Sequence, residues 1–238
     1  MKNVLFDLDG TILPMDVEEF TQKYIGGIIQ TMNNNKRNGK EIAKAVFAGV
    51  SAMIKSDGTL TNEELFWNVF KQITNISKED IEDEFMFFYE NMFDDIDSGI
   101  RNENMVEAVS LLKQKGYKLY LTTNPLFPAI ATYKRVKWAG LNTDDFELIT
   151  TFENSHFCKP NIQYYQEVIN KCHLDIHECL MVGNDVLEDG IIETIGVPVY
   201  IVNDYLINKE NKEIKTKYQG SSVEFLEFVR NLDEIKAG

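Results

Sequence analysis

Two aspartates two residues apart, Asp7 and Asp9, follow the short apolar run Asn3-Val4-Leu5-Phe6 and precede Gly10-Thr11. Paired carboxylates beside a glycine make poor core. At the carboxyl end of a parallel strand they make a good reaction centre, because open α/β sheets bind ligands there. Asp7 could attack an electrophile, Asp9 could move a proton, and Gly10 would let the chain turn sharply. Thr123 and Asn124 follow a second apolar run, and Asp185 follows a third, Cys179-Leu180-Met181-Val182; Lys159 sits in a loop before a helical segment. If the runs are parallel strands, their ends all point the same way. The set suits phosphoryl transfer, which needs an in-line nucleophile, donors to the equatorial oxygens and positive charge against developing negative charge. Thr123 offers a hydroxyl and Lys159 a charged donor to the phosphoryl group. Asp185 with Asp7 would form a hard oxygen site of the kind that holds magnesium.

The elements that must position these groups are legible in outline. From Asp16, a helix cap, to about residue 97 the chain reads as helices alone. Phe20, Tyr24, Ile28 and Ile29 share a face, Thr61 with Glu64 is a capping box, and Ser77 caps a helix over 78–89. Phe85, Phe87, Phe88, Tyr89 and Phe93 read as packing within this block. Strand–helix alternation then resumes. Strands are expected at 117–122, 146–151, 179–182 and 197–202, helices at 105–115, 127–138, 162–172 and 223–232, and a surface excursion over 203–220. The expected fold class is therefore α/β, a parallel sheet with helices on both faces and an inserted all-helical subdomain.

The 238 residues carry a net charge of -14. That argues against a general binder of nucleic acid or anionic membrane, which needs a basic footprint. No apolar stretch is long enough to span a bilayer, and a lone lysine before a short apolar run does not match a secretory leader. Cys158, Cys172 and Cys179 lack zinc-like spacing and read as small buried hydrophobes with reduced thiols, so a cytoplasmic setting is expected. The three histidines do not cluster, and Glu188 reads as surface.

The sequence resembles the haloacid dehalogenase-like hydrolases, aspartate-nucleophile phosphatases for the most part. Asp7-Leu8-Asp9-Gly10-Thr11 matches the first motif of that superfamily, Thr123-Asn124 the second, Lys159-Pro160 the third, and Gly183 to Asp189 the acidic fourth. The resemblance implies a Rossmann-like core, residues 1–14 and 98–238, with a helical cap over 15–97. It implies Asp7 as nucleophile and metal ligand, Asp9 as acid/base with its carbonyl on the metal, and Asp185 as the third protein ligand to Mg2+. Thr11, Thr123, Asn124 and Lys159 are expected to contact the substrate, and Thr123 and Lys159 to hold the phosphoryl group. Many members carry Asp directly after the glycine of the fourth motif. Here Asn184 stands there, so Asn184 or Asp189 is placed in the inner or outer metal shell.

The expectation is a magnesium-dependent phosphatase that hydrolyses a small phosphorylated metabolite through an aspartyl-phosphate; no oligomeric state is assigned. Within the family, a dehalogenase is disfavoured by the presence of Asp9. A phosphonate hydrolase would need a cap lysine, for which Lys23 is the candidate by position, and a phosphomutase would return the phosphoryl group to a second hydroxyl. A non-catalytic phosphometabolite-binding protein is the rival of another class, disfavoured by intact Asp7, Asp9 and Lys159.

Overall fold

The computed structural model describes residues 1–235. Six strands, β1 (Asn3–Phe6), β2 (Lys118–Leu121), β3 (Leu148–Ile149), β4 (Cys179–Gly183), β5 (Val199–Val202) and β6 (Tyr218–Gly220), form one sheet. Its order is β3-β2-β1-β4-β5-β6 and every pairing is parallel. The chain leaves β1 for β2 and β3 on one side and returns to β4 and β5 on the other. The switch point of the sheet therefore lies at the carboxyl end of β1, where a crevice forms between diverging connections.

Both faces of the sheet are covered, and the strands alternate between two cores with period two. Val4 and Phe6 of β1, with Leu180 and Val182 of β4, pack into one core. Leu5 and Met181 pack into the other, against Tyr164, Tyr165 and Val168 of α7 (Ile162–Lys171). Four helices, α1 (Val17–Asn34), α2 (Gly39–Ile54), α3 (Asn62–Thr74) and α4 (Glu82–Asn91), lie between β1 and α5 (Glu103–Gln114). Asp16 caps α1 by accepting from the amides of Glu18 and Glu19, and the Thr61–Glu64 capping box starts α3. Phe20, Tyr24, Ile28 and Met32 bury one stripe of α1, and Phe66 and Phe70 one of α3.

This helical block is fastened to the core on two sides. The amides of Asn62 and Glu63, at the start of α3, donate to the carbonyls of Ser155 (2.8 Å) and Phe152 (2.9 Å) in the loop after β3. Phe93 stacks on Trp138 at the end of α6 (Ala129–Trp138), centroids 4.8 Å apart. Tyr24 meets Phe127 edge-on at 5.2 Å.

Three elements differ from expectation. Residues 146–151 pair only at Leu148–Ile149, because Asn154 takes the Thr151 amide and turns the chain off the sheet. Residues 218–220, inside the expected surface excursion, add β6 at the edge. So short a strand, with Gln219 exposed, carries no alternation to read. The helix expected over 78–89 is broken into a 3-10 turn at Lys78–Asp80 followed by α4. Ser77 bonds the Asp80 carboxylate (2.8 Å) instead of a backbone amide. The last three residues of the expected core, 236–238, lie outside the described residues.

Candidate active site

Asp7 is the first residue past β1, and its register neighbours put the ends of β2 and β4 on either side. Thr123 therefore stands to one side of it and Asn184-Asp185 to the other. The turn after Asp7 needs Gly10 at φ 83°, where a Cβ would meet the Asn184 side-chain amide at 2.3 Å. Gly183 plays a similar part in the fourth loop, since a Cβ there would fall 2.1 Å from the Asp189 carboxylate. That carboxylate can thus accept from the amides of Asn184 and Asp185, both at 3.0 Å.

Lys159 is buried and bridges two carboxylates, Asp7 at 2.8 Å and Asp189 at 2.6 Å. Thr11, also buried, donates toward Asp7 (3.2 Å) and Asn184 (3.0 Å), while Asn184 donates to the Tyr205 carbonyl (2.6 Å). Asn124 spans two loops. It accepts from the Lys159 amide (3.2 Å) and donates to Glu188 (3.0 Å). Asp185 accepts from the amides of Leu187 and Glu188, both at 2.8 Å. The Thr123 hydroxyl has no hydrogen-bond partner among the described residues, although its carbonyl accepts from Thr150 (2.7 Å) and Tyr164 (2.9 Å).

One ammonium cannot neutralise this many carboxylates. Burial raises Asp7 to about 7; Lys159 pulls against that rise, while Asp189 and, less strongly, Asp9 reinforce it. Burial alone would lower Lys159, but Asp189 and Asp7 outweigh it and hold the ammonium well above the usual lysine range. Burial likewise raises Asp185, and raises Glu188 to about 7, with repulsion from Asp189 adding to both. Glu188 was expected at the surface and is instead half-buried over the site. The 3-10 segment that follows the loop turns it inward against Asn124, which its position in an acidic run does not reveal.

A cavity of about 520 Å³ opens over these groups, between the sheet edge and the helical block. Asp7, Asp9, Thr123, Asn124 and Asp185 line its floor; Thr11 and Lys159 lie behind the floor and reach it through Asp7. Phe85, Phe88, Tyr89 and Phe93 all belong to the packed core, Phe85 and Tyr89 also lining the cavity wall, and Phe87 is exposed. Lys23 stays out of this cavity. It pairs with Glu19 at 2.7 Å and borders a separate hollow beside Leu13 and Pro14.

Arg135 is a site residue that the sequence reading missed. It is fully buried on α6, ion-paired through Nη1 with Asp9, and its guanidinium lies 4.4 Å from the Phe127 ring centroid. Its one signal in the sequence is its place on the apolar stripe of Ala131, Thr132, Val136 and Trp138, where an arginine needs a partner. Arg135 sets the direction of the Asp9 carboxylate, whose side chain is 24% exposed. Replacing Arg135 by Met strands that carboxylate and is expected to lower stability by about 2–3 kcal/mol, read by urea unfolding. Adding Asp9→Leu should recover part of the loss, and strict additivity of the two changes would show that the pair is not coupled.

The comparisons with known proteins agree with this architecture. The family model described as haloacid dehalogenase-like hydrolase matches residues 1–189. A glyceraldehyde 3-phosphate phosphatase from Methanothermobacter thermautotrophicus is 27% identical over 133 residues. The match spans 56% of this chain and 57% of the relative, so little more than half of that protein's length is represented. Among solved structures, a HAD phosphatase from Thermococcus onnurineus superposes with a TM-score of 0.60 at 17% identity, over 99% of this chain and all of the other. An L-2-haloacid dehalogenase from Xanthobacter autotrophicus, with chloropropionic acid covalently bound, gives 0.56 at 13%, over 98% of this chain and 99% of the other. At such identities these two structures establish the fold.

Proposed function

The chain belongs to the haloacid dehalogenase-like hydrolases, and on that premise we propose that it is a magnesium-dependent phosphatase that hydrolyses a small phosphorylated metabolite through an aspartyl-phosphate on Asp7. The observation that carries this reading is the Asp7 carboxylate itself, at the cavity floor on the switch point of the sheet, held by Lys159 at 2.8 Å and Thr11 at 3.2 Å. The named activity of the curated relative, removal of phosphate from glyceraldehyde 3-phosphate, points the same way.

In this reading an Asp7 oxygen attacks phosphorus, the bond from phosphorus to the ester oxygen breaks, and Asp9 gives that oxygen its proton. Asp9 then takes a proton from water as the water oxygen attacks phosphorus, and the Asp7–phosphorus bond breaks to release phosphate. The Thr123 hydroxyl donates to a phosphoryl oxygen and Lys159 offsets charge through Asp7. Arg135 keeps Asp9 aligned between its two proton transfers.

The donor set suits a magnesium ion. Asp7, Asp185 and the Asp9 carbonyl are hard oxygens, and the raised Asp7, Asp185 and Glu188 mark a surplus of negative charge that Lys159 alone leaves uncompensated. Among the described residues no three His, Cys, Asp or Glu side chains are already grouped so as to hold a metal ion. When bound there, the ion would supply positive charge to the phosphoryl group.

The direct test is phosphate release from p-nitrophenyl phosphate, with magnesium and with chelator. Turnover is expected to fall by about 100-fold or more on chelation. Equal rates in the two conditions would remove the metal from the reading. The phosphonate alternative loses its candidate, because Lys23 does not reach the cavity.

A further inference from the structure

We propose that the phosphate ester cleaved here has a bulky, uncharged, predominantly aromatic or apolar leaving group, and not a second phosphate or a carboxylate; the inference rests on the phosphatase reading above. The roof of the cavity over Asp7 is built from the apolar faces of α1, α2, α3 and α4 and from the loop after β2. Tyr24, Phe66, Trp67, Phe85, Met86 and Phe127 are among its lining side chains. The two hydroxyls that α1 brings to the cavity are both committed: Tyr24 is bonded to the Tyr89 hydroxyl and Thr21 donates to the Val17 carbonyl, each at 2.7 Å.

Charge in the walls points the same way. Lys78 is the lysine that the helical block contributes to the cavity, and it is held by Glu63 at 2.8 Å and Glu82 at 3.3 Å. Arg135 is consumed by Asp9 and shielded by Phe127. Lys209 is exposed at the core-side rim, two residues past Ile207, which bridges to Asp185. A second anionic group on the substrate would therefore enter a wall holding Glu63, Glu82 and Glu153 with no uncommitted cation from the helical block among the described residues. Desolvating an anion without a partner is strongly unfavourable, whereas Trp67 Nε1 and Glu153 Oε2, buried in the lining without partners among the described residues, could bond an uncharged hydroxyl. An aromatic ring would gain area burial and edge contacts from the same faces.

The test compares kcat/KM for 1-naphthyl phosphate, glyceraldehyde 3-phosphate and phosphoglycolate, with acetyl phosphate as a small substrate that reports the chemistry with almost no leaving group. 1-Naphthyl phosphate is expected to exceed both metabolite esters by about 100-fold. Turnover of acetyl phosphate, with either metabolite ester matching or exceeding the naphthyl ester, would overturn the leaving-group inference and leave the phosphatase standing. No release from any of the four would overturn the phosphatase reading and the inference together. Met86→Lys, which adds a cation to the wall, should move the naphthyl-to-phosphoglycolate ratio toward phosphoglycolate by about tenfold. An unchanged ratio in a variant with wild-type circular dichroism would count against the wall as the source of selectivity.

Discussion

Asp7→Asn is expected to slow phosphate release by at least about 10⁴-fold, the scale on which removal of a nucleophile acts, while making the metal-free protein more stable at pH 8. The two effects share one cause. A carboxylate fit for attack must be desolvated at the end of β1, and burial raises Asp7 from its ordinary 3.8 to about 7. A carboxyl raised on folding binds its proton more tightly folded than unfolded. Its stabilising contribution is therefore full below pH 3.8 and is lost as pH rises toward 7, so above pH 7 the ionised Asp7 is a net cost. Asparagine does not titrate and leaves Lys159 paired with Asp189. The gain is smaller than the shift alone implies, because the Lys159–Asp7 hydrogen bond is weakened; about 1–2 kcal/mol, or several degrees in Tm, is the expected size at pH 8. It should vanish near pH 4. A melting curve that places the variant below wild type at pH 8 would mean that Lys159 already compensates Asp7 in full. Magnesium should raise the Tm of wild type and do little for the variant.

Lys159→Met carries the largest expected loss of stability. The ammonium is buried between Asp7 and Asp189, themselves buried, and its removal leaves two carboxylates facing each other without a cation. Breaking a buried pair from one side costs about 3–5 kcal/mol, which for a chain of this size lowers Tm on the order of 10 °C. The deficit should be greatest above pH 7 and should shrink as pH falls toward 4, because protonation removes the repulsion that the lysine offset. A pH-independent deficit in urea unfolding would assign the loss to packing and not to charge. Turnover should fall with it, since the same ammonium offsets charge on the nucleophile.

The surplus of carboxylates makes the site unstable by design of its parts, and the surrounding fold absorbs that. Asp189 draws two backbone amides as well as Lys159, and Asn124 fastens Glu188 to the lysine loop. Cys158 and Cys179, pushed up to about 12 and about 11 by burial, take no part in this chemistry and fill core as small hydrophobes.

The order of chemical groups along the chain was legible because a parallel sheet has few ways to connect. Once residues 3–6, 117–122 and 179–182 are strands, their carboxyl ends must share an edge, and Asp7, Thr123 and Asp185 converge whatever the loops do. The run of helices between β1 and α5 was legible from its caps at Asp16 and Thr61 and from its apolar spacing. What the sequence could not show is which apolar face is core and which is cavity. Phe85 and Phe88 lie three apart on one helix, obey the same periodicity and are both buried, yet only Phe85 also borders the cavity, because only the docking of the helical block against the loops after β2 and β3 leaves a space there. Arg135 and Glu188 were hidden for a related reason. A charge on a helix or loop reads as solvated until another segment covers it, and the partners that make their burial tolerable, Asp9 and Asn124, stand 126 and 64 residues away. Periodicity is local and determines elements; burial of a charge or an opening between elements is a sum over distant segments, and that sum exists only in the folded chain.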